Sequence, residues 1–169
     1  MENTDKDLHL EQAAITQTPD NNRERFMSTL EDEVKKAMRE DYYVGLCMLT
    51  LDNQPTEGDS YNPLLEELCW VIGNDAGLSD LFVPYTYMNV AMILRKVMPE
   101  DVADGARRIC DAVSNRRFEV NGTEVRTTVS IGVACYPQTA SSAEGLAQKA
   151  ESAMLSAIEQ GGNRAVISK

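Results

Sequence analysis

Residues 125–136 read Val-Arg-Thr-Thr-Val-Ser-Ile-Gly-Val-Ala-Cys-Tyr, and this alternation decides the fold. Val125, Thr127, Val129, Ile131, Val133 and Cys135 fall on one side of an extended backbone, opposite Arg126, Thr128, Ser130, Gly132, Ala134 and Tyr136. A period of two predicts one long, central β-strand with one edge buried. Upstream, Phe118 to Val120 is a short partner, joined through Asn121-Gly122, a pair that tolerates positive φ at both positions of a tight hairpin turn. Downstream, Ser141-Ser142-Ala143-Glu144 has the spacing of a capping box. Leu146, Ala147, Ala150, Ala153, Met154, Ala157 and Ile158 then recur at helical spacing. Gly161-Gly162 stops that helix, and 164–167 returns as a last short strand.

Composition bounds the function. A chain of 169 residues, 43% hydrophobic and 25% charged, fits one soluble domain with a real core. A formal net charge of −11 argues against nucleic acid or an anionic membrane as partner, because both require clustered Lys and Arg. Cys47, Cys69, Cys110 and Cys135 are scattered inside apolar runs, and His9 is the one histidine, so neither a metal centre nor a histidine-dependent triad is expected. The cysteines read as buried and reduced in a cytoplasmic protein. No stretch approaches about 18 consecutive apolar residues and no signal pattern opens the chain, so membrane spans and secretion are not expected.

The first 20 residues are polar and acidic, with Glu2, Asp5, Asp7, Glu11 and Asp20 against Lys6, and are expected to be a disordered tail to a domain over 21–169. A helix follows near 22–40, with Phe26, Leu30, Val34 and Ala37 on its packing face. Residues 42–51 are apolar on both faces, the mark of a buried central strand. A second helix is predicted over 62–73, with Asn62 as N-cap, Pro63 at its first position and Gly73 at its end. Residues 81–85 and 90–97 pair as a hairpin. Pro99 then opens a helix with Glu100 and Asp101 in its first turn, near 99–115. The last helix spans 142–160. The fold class is therefore α/β, an α+β sandwich, with a central, mostly antiparallel five-stranded sheet flanked by helices.

In order and spacing, Val129 to Ala134, Ala150 to Met154 and Gly162-Asn163-Arg164 resemble the C-terminal half of the GGDEF family, the diguanylate cyclases. The resemblance extends back to about Arg23 and implies the palm fold of nucleotide cyclases. It also implies where chemistry would sit. The family ends its first strand in Asp-x-Asp, whose first carboxylate holds Mg²⁺; here those positions are Thr50-Leu51-Asp52. The signature Gly-Gly-Asp-Glu-Phe aligns with Thr86, Tyr87, Met88, Asn89 and Val90. Glycines there let the backbone approach a triphosphate, whereas Tyr87 obstructs that approach and Met88 cannot ligate Mg²⁺. The lysine and arginine that clamp phosphates align with Ile158 and Gly162, and the product-binding Arg-x-x-Asp survives as Asp80 alone, with Gly77 in the arginine position. Asn62 matches a guanine-contacting aspartate, but serves equally as a helix cap.

Three readings follow. The first is a catalytically inactive GGDEF-like domain without cofactor, acting as a protein-interaction or regulatory module in bacterial cyclic-di-GMP signalling. Its partner would be another signalling protein, contacted through the hairpin tip at Tyr85, Tyr87 and Met88. Aromatic side chains and methionine at an exposed tip suit an interface, although a plug over the tip's own cleft would use the same residues. The second is a non-catalytic receptor for cyclic di-GMP or GTP, built on the remnants Asp80 and Asn62 or on arginines near Arg107. The third is a divergent nucleotidyl cyclase whose metal would be held by Asp52, Glu57 or Asp59, acids that otherwise read as solvated loop residues.

Overall fold

The computed structural model describes residues 19–53, 63–75, 81–84 and 89–169. The acidic tail and the 53–61 loop fall almost wholly outside them. Among the described residues the elements are α1 (Pro19–Glu40), β1 (Val44–Leu51), α2 (Pro63–Asp75), β2 (Leu81–Pro84), β3 (Asn89–Arg95), α3 (Pro99–Ser114), β4 (Phe118–Val120), β5 (Thr123–Val125), β6 (Val129–Tyr136), α4 (Ala143–Glu159) and β7 (Arg164–Ile167). The main sheet has the order β2-β3-β1-β6-β7. Every pairing in it is antiparallel except β6 with β7, which are parallel and joined through α4. The mostly antiparallel five-stranded sheet and the helices predicted beside it are all present.

β1 is central because both its faces are apolar: Cys47, Leu49 and Leu51 enter the core under α2 and α3, while Val44, Leu46 and Met48 enter the core under α1 and α4. Two close approaches set the helices. A Cβ on Gly45 would stand 2.6 Å from a methyl of Val102 on α3. A Cβ on Gly132 would fall on the backbone of α4, against the Ala150 carbonyl and the Met154 amide. The small residues of β6 thus let α4 lie directly on the strand.

The strand expected over 125–136 is divided. Asn121 (φ 53°) and Gly122 (φ 77°) make the expected tight turn, but the hairpin they close, β4 with β5, is a separate two-stranded sheet. Pairing with β1 resumes at Val129. The interruption has a local cause: the Thr127 hydroxyl donates to the Asp52 carbonyl at 3.2 Å and the Asp52 amide donates to the Thr128 carbonyl at 2.9 Å, so this stretch serves the end of β1. Within β6 both faces are buried, not one: Val129, Ile131 and Val133 on the first, Ser130 and Ala134 on the second.

Smaller differences concern element ends. β1 begins at Val44, beyond the positive φ of Asp41, and α2 continues through Gly73 to Asp75. The α4 cap is Ser142, whose hydroxyl accepts from the Gly145 amide at 3.1 Å, so the box read from Ser141 and Glu144 does not supply it. All four cysteines are free and buried.

Candidate functional site

The strand ends nearest the family's chemistry gather at the C-terminal edge of β1. Thr50 is paired on one side with Asn89 of β3 and on the other with Ser130 of β6. The antiparallel register therefore sets three uncharged polar residues in a row across the sheet, at the level where the resemblance expects a metal-binding carboxylate. Thr50 is buried, only 5% exposed.

Two residues on, Asp52 organises the edge. Its Oδ2 accepts from the Thr128 hydroxyl at 2.6 Å and from the Asn163 amide at 2.9 Å, and its Oδ1 accepts from the Ser130 hydroxyl at 2.7 Å. This corrects the view of Asp52 as a solvated loop acid. The carboxylate ties the end of β1 to β6 and to the turn between α4 and β7, and its short hydrogen bonds are of the charge-assisted kind. That turn is shaped to meet it. Gly161 (φ 108°), Gly162 (φ 74°) and Asn163 (φ 50°) all lie at positive φ, and a Cβ on Gly162 would stand 2.8 Å from Oδ2 of Asp52.

The two positions matched to the phosphate clamp therefore have described environments. Ile158 is 43% exposed on the outer face of α4 and presents a branched hydrocarbon. Gly162 is buried with a carboxylate against it, so a negative charge stands beside the place of the clamp arginine. The arginine nearest the turn, Arg164, is held on the turn itself: its Nε donates to the Gly162 carbonyl at 3.2 Å and an Nη to Gln160 at 3.3 Å. Among the described residues no cluster of three or more His, Cys, Asp or Glu side chains is arranged to hold a metal ion.

Arg107, Arg116 and Arg117 are engaged in separate local contacts rather than in one site. Arg107 pairs with Asp104 at 2.9 Å, Arg117 with Glu124 at 3.5 Å, and the Arg116 guanidinium lies 5.5 Å from the centre of the Trp70 ring. Tyr85, Tyr87, Met88, Asp80, Asn62, Glu57 and Asp59 lie outside the described residues.

The residues that the sequence did not single out are Thr128, Ser130 and Asn163. The signal of Thr128 and Ser130 was present as polar side chains on the small-residue face of the 125–136 alternation, whereas Asn163 acts through its backbone amide and had no such signal. The former became legible only with the register, which sets Ser130 opposite Thr50.

Comparison with known proteins agrees with this architecture. The sequence profile described as diguanylate cyclase, GGDEF domain, matches residues 16–164. Among curated relatives, the bifunctional diguanylate cyclase/cyclic di-GMP phosphodiesterase MucR of Pseudomonas aeruginosa is 25% identical over 154 residues, covering 88% of this chain and 22% of that protein. Diguanylate cyclase A of Treponema denticola is 24% identical over 131 residues, covering 75% of this chain and 35% of that protein. The chain thus spans well under half the length of either. Among solved structures, the GGDEF domain of FimX from Pseudomonas aeruginosa superposes with a TM-score of 0.74 at 21% identity, covering 86% of this chain and 93% of that one. The GGDEF domain of DgcB from Caulobacter crescentus, in complex with c-di-GMP, gives 0.71 at 22% identity, covering 86% of each chain. Diguanylate cyclase SiaD from Pseudomonas aeruginosa, in complex with its activator SiaC, gives 0.71 at 22% identity, covering 97% of this chain and 65% of that one.

Proposed function

The chain belongs to the GGDEF domain family, and from that membership we propose that it is a catalytically inactive member, acting as a protein-interaction or regulatory module in bacterial cyclic-di-GMP signalling. The observation that carries this reading is the charge at the C-terminal edge of β1. Phosphoryl transfer on a nucleoside triphosphate relies on a metal ion and positioned cations to bear the developing charge. The matching positions offer a buried Thr50, an exposed Ile158, and Gly162 with the Asp52 carboxylate against it. Asp52 is itself committed to Thr128, Ser130 and Asn163, and a carboxylate satisfied by three donors is a poor candidate for recruitment as a metal ligand. Met88 in the signature turn adds no ligand.

A regulatory role through another protein follows from what remains. The SiaD structure supplies a family precedent for a bound protein partner. In this chain the surface assigned to a partner is the signature turn, where Tyr85, Tyr87 and Met88 offer large contact area with few rotatable bonds. On this reading Tyr87→Ala weakens partner capture by about 2 kcal/mol and leaves the melting temperature unchanged. An unchanged pull-down with a lower melting temperature would instead identify Tyr87 as a plug over its own cleft.

The decisive test is incubation of the purified chain with GTP and Mg²⁺, followed by chromatography for cyclic di-GMP. No product above a heat-killed control is expected, and product formation would overturn the proposal. Calorimetry of the same protein with cyclic di-GMP and with GTP addresses the receptor reading: heat from a saturable site would favour a nucleotide-binding, non-catalytic domain.

A further inference from the structure

The main sheet ends at β7, whose one neighbour in it is β6. The Ser168 amide donates to the Val133 carbonyl at 2.8 Å, and Val133 is in register with Ile167. Backbone groups alternate along a strand, so the amides and carbonyls of Arg164, Val166 and Ser168 face β6, while those of Ala165 and Ile167 face away from it. Among the described residues, neither Ala165 nor Ile167 has a backbone partner on that outer side. The flanking helices leave the row accessible. α3 meets β1 where Val102 stands over Gly45, and meets β6 where the Cys110 thiol donates to the Val129 carbonyl at 3.8 Å; α4 is seated on Gly132 of β6. Both are anchored inward of the edge, and Ile167 is 37% exposed. The usual shields of a sheet edge are absent from β7: it has no proline, and its charged residue, Arg164, is turned back onto Gly162 and Gln160.

We propose that β7 pairs with β7 of a second copy of this chain, antiparallel and centred on Val166, so that two five-stranded sheets become one. In this register the strand is complementary to itself. Ala165 of each copy stands opposite Ile167 of the other, and because both carry their backbone groups outward, each such pair exchanges both of its N–H···O bonds. Val166 meets its own counterpart as the closer, non-hydrogen-bonded pair. The small Ala165 leaves room beside the exposed Ile167. Charge agrees with the same register: Arg164 falls opposite Ser168 and Asn163 opposite Lys169, so no like charges face one another across the two-fold axis. Other centres fit worse. An axis through Ala165 sets Ile167 against Asn163, whose φ of 50° takes it out of extended pairing, and an axis through Ile167 sets Ala165 against Lys169, beyond the end of β7. A strand of 4 residues falls below the roughly 800 Å² per partner of a standard interface, so the dimer is a weak one that forms at high concentration. The pairing requires nothing of the nucleotide site.

Sedimentation of the full chain from about 10 µM to about 1 mM reads the association. The ionic strength should be about 0.15 M, where repulsion between copies of net charge −11 is screened within about 8 Å. A monomer–dimer equilibrium is expected, and monomer throughout would overturn the proposal. Ala165→Pro removes an outward N–H and no ladder bond to β6, and should weaken the dimer at least tenfold. Ile167→Lys, which sets a charge on the exposed edge, should do the same and serves if the proline variant does not fold. A dimer that the folded variant leaves unchanged would lie on another surface and refute the pairing. The register has its own check, in a chain whose four native cysteines are buried. The Cα atoms of a non-hydrogen-bonded pair lie about 4.5 Å apart, within the range of a disulfide. Under a copper–phenanthroline oxidant, Val166→Cys should therefore join two copies at least tenfold faster than Arg164→Cys. Equal rates, or no bond between copies, would also overturn the proposal.

Discussion

The β6–α4 seam and the C-terminal edge of β1 lie on the same face of one sheet, and they relate to the family in opposite ways. At the seam the family pattern is intact, and geometry explains why: Gly132 faces the backbone of Ala150, Ala153 and Met154, so no larger residue fits without moving a helix. At the edge, on the reading proposed above, the positions tied to nucleotide chemistry are replaced, yet the edge is well bonded through Asp52, Thr128, Ser130 and Asn163. Packing constrains a residue through the whole fold, whereas a ligand-facing position is constrained only by its ligand. A domain can therefore keep its architecture while its site is rewritten.

The largest expected effect tests the seam. Gly132→Val drives two methyl groups into the α4 backbone, which cannot give way as a flexible side chain would, and should cost at least about 3 kcal/mol. Urea denaturation of the variant against the parent measures this, and a loss below about 1 kcal/mol would show that α4 slides freely on β6. The next tests the edge. Asp52→Ala removes the acceptor for two hydroxyls and one amide and should cost about 2 kcal/mol. Asp52→Asn keeps one carbonyl oxygen and should cost less. Equal losses would mean that charge, not hydrogen bonding, holds the edge together.

The smallest effect sets the other core against both regions. Burial pushes the Cys135 thiol up to about 11 and the Cys110 thiol up to about 12, from an unfolded value near about 8.5. A proton held more tightly in the folded state stabilises the fold fully below the unfolded pKa, and that contribution is lost as pH rises through the folded value. Stability should accordingly be flat from about pH 7 to 8 and decline gently above about pH 9. Urea midpoints at these pH values measure it. A flat profile to about pH 11 would mean that the thiols ionise without unfolding the core under α2 and α3.

Much of the fold was legible in the sequence because it rests on local periodicity. The alternation over 129–136, the helical spacing of Leu146, Ala150 and Met154, and the turn residues Asn121, Gly122, Gly161 and Gly162 each act on their own neighbours. What local pattern could not show was where a strand stops pairing. Thr127 and Thr128 continue the alternation in sequence, yet their polar groups bind Asp52 and the ladder breaks there. Asp52 is the same lesson at the site. In sequence it is an acid at the head of a polar loop; in the structure it is bonded to residues far along the chain.

The sequence by itself determined the sheet, its central strand, the flanking helices and the family, because side-chain period and turn chemistry are properties of adjacent residues. Tertiary structure alone decided which polar residues share the edge of β1, because antiparallel register brings Ser130 beside Thr50, and the α4–β7 turn brings Asn163 onto Asp52. Charge at that edge depends on three-dimensional proximity, and the order of residues along the chain does not encode proximity until the sheet has formed.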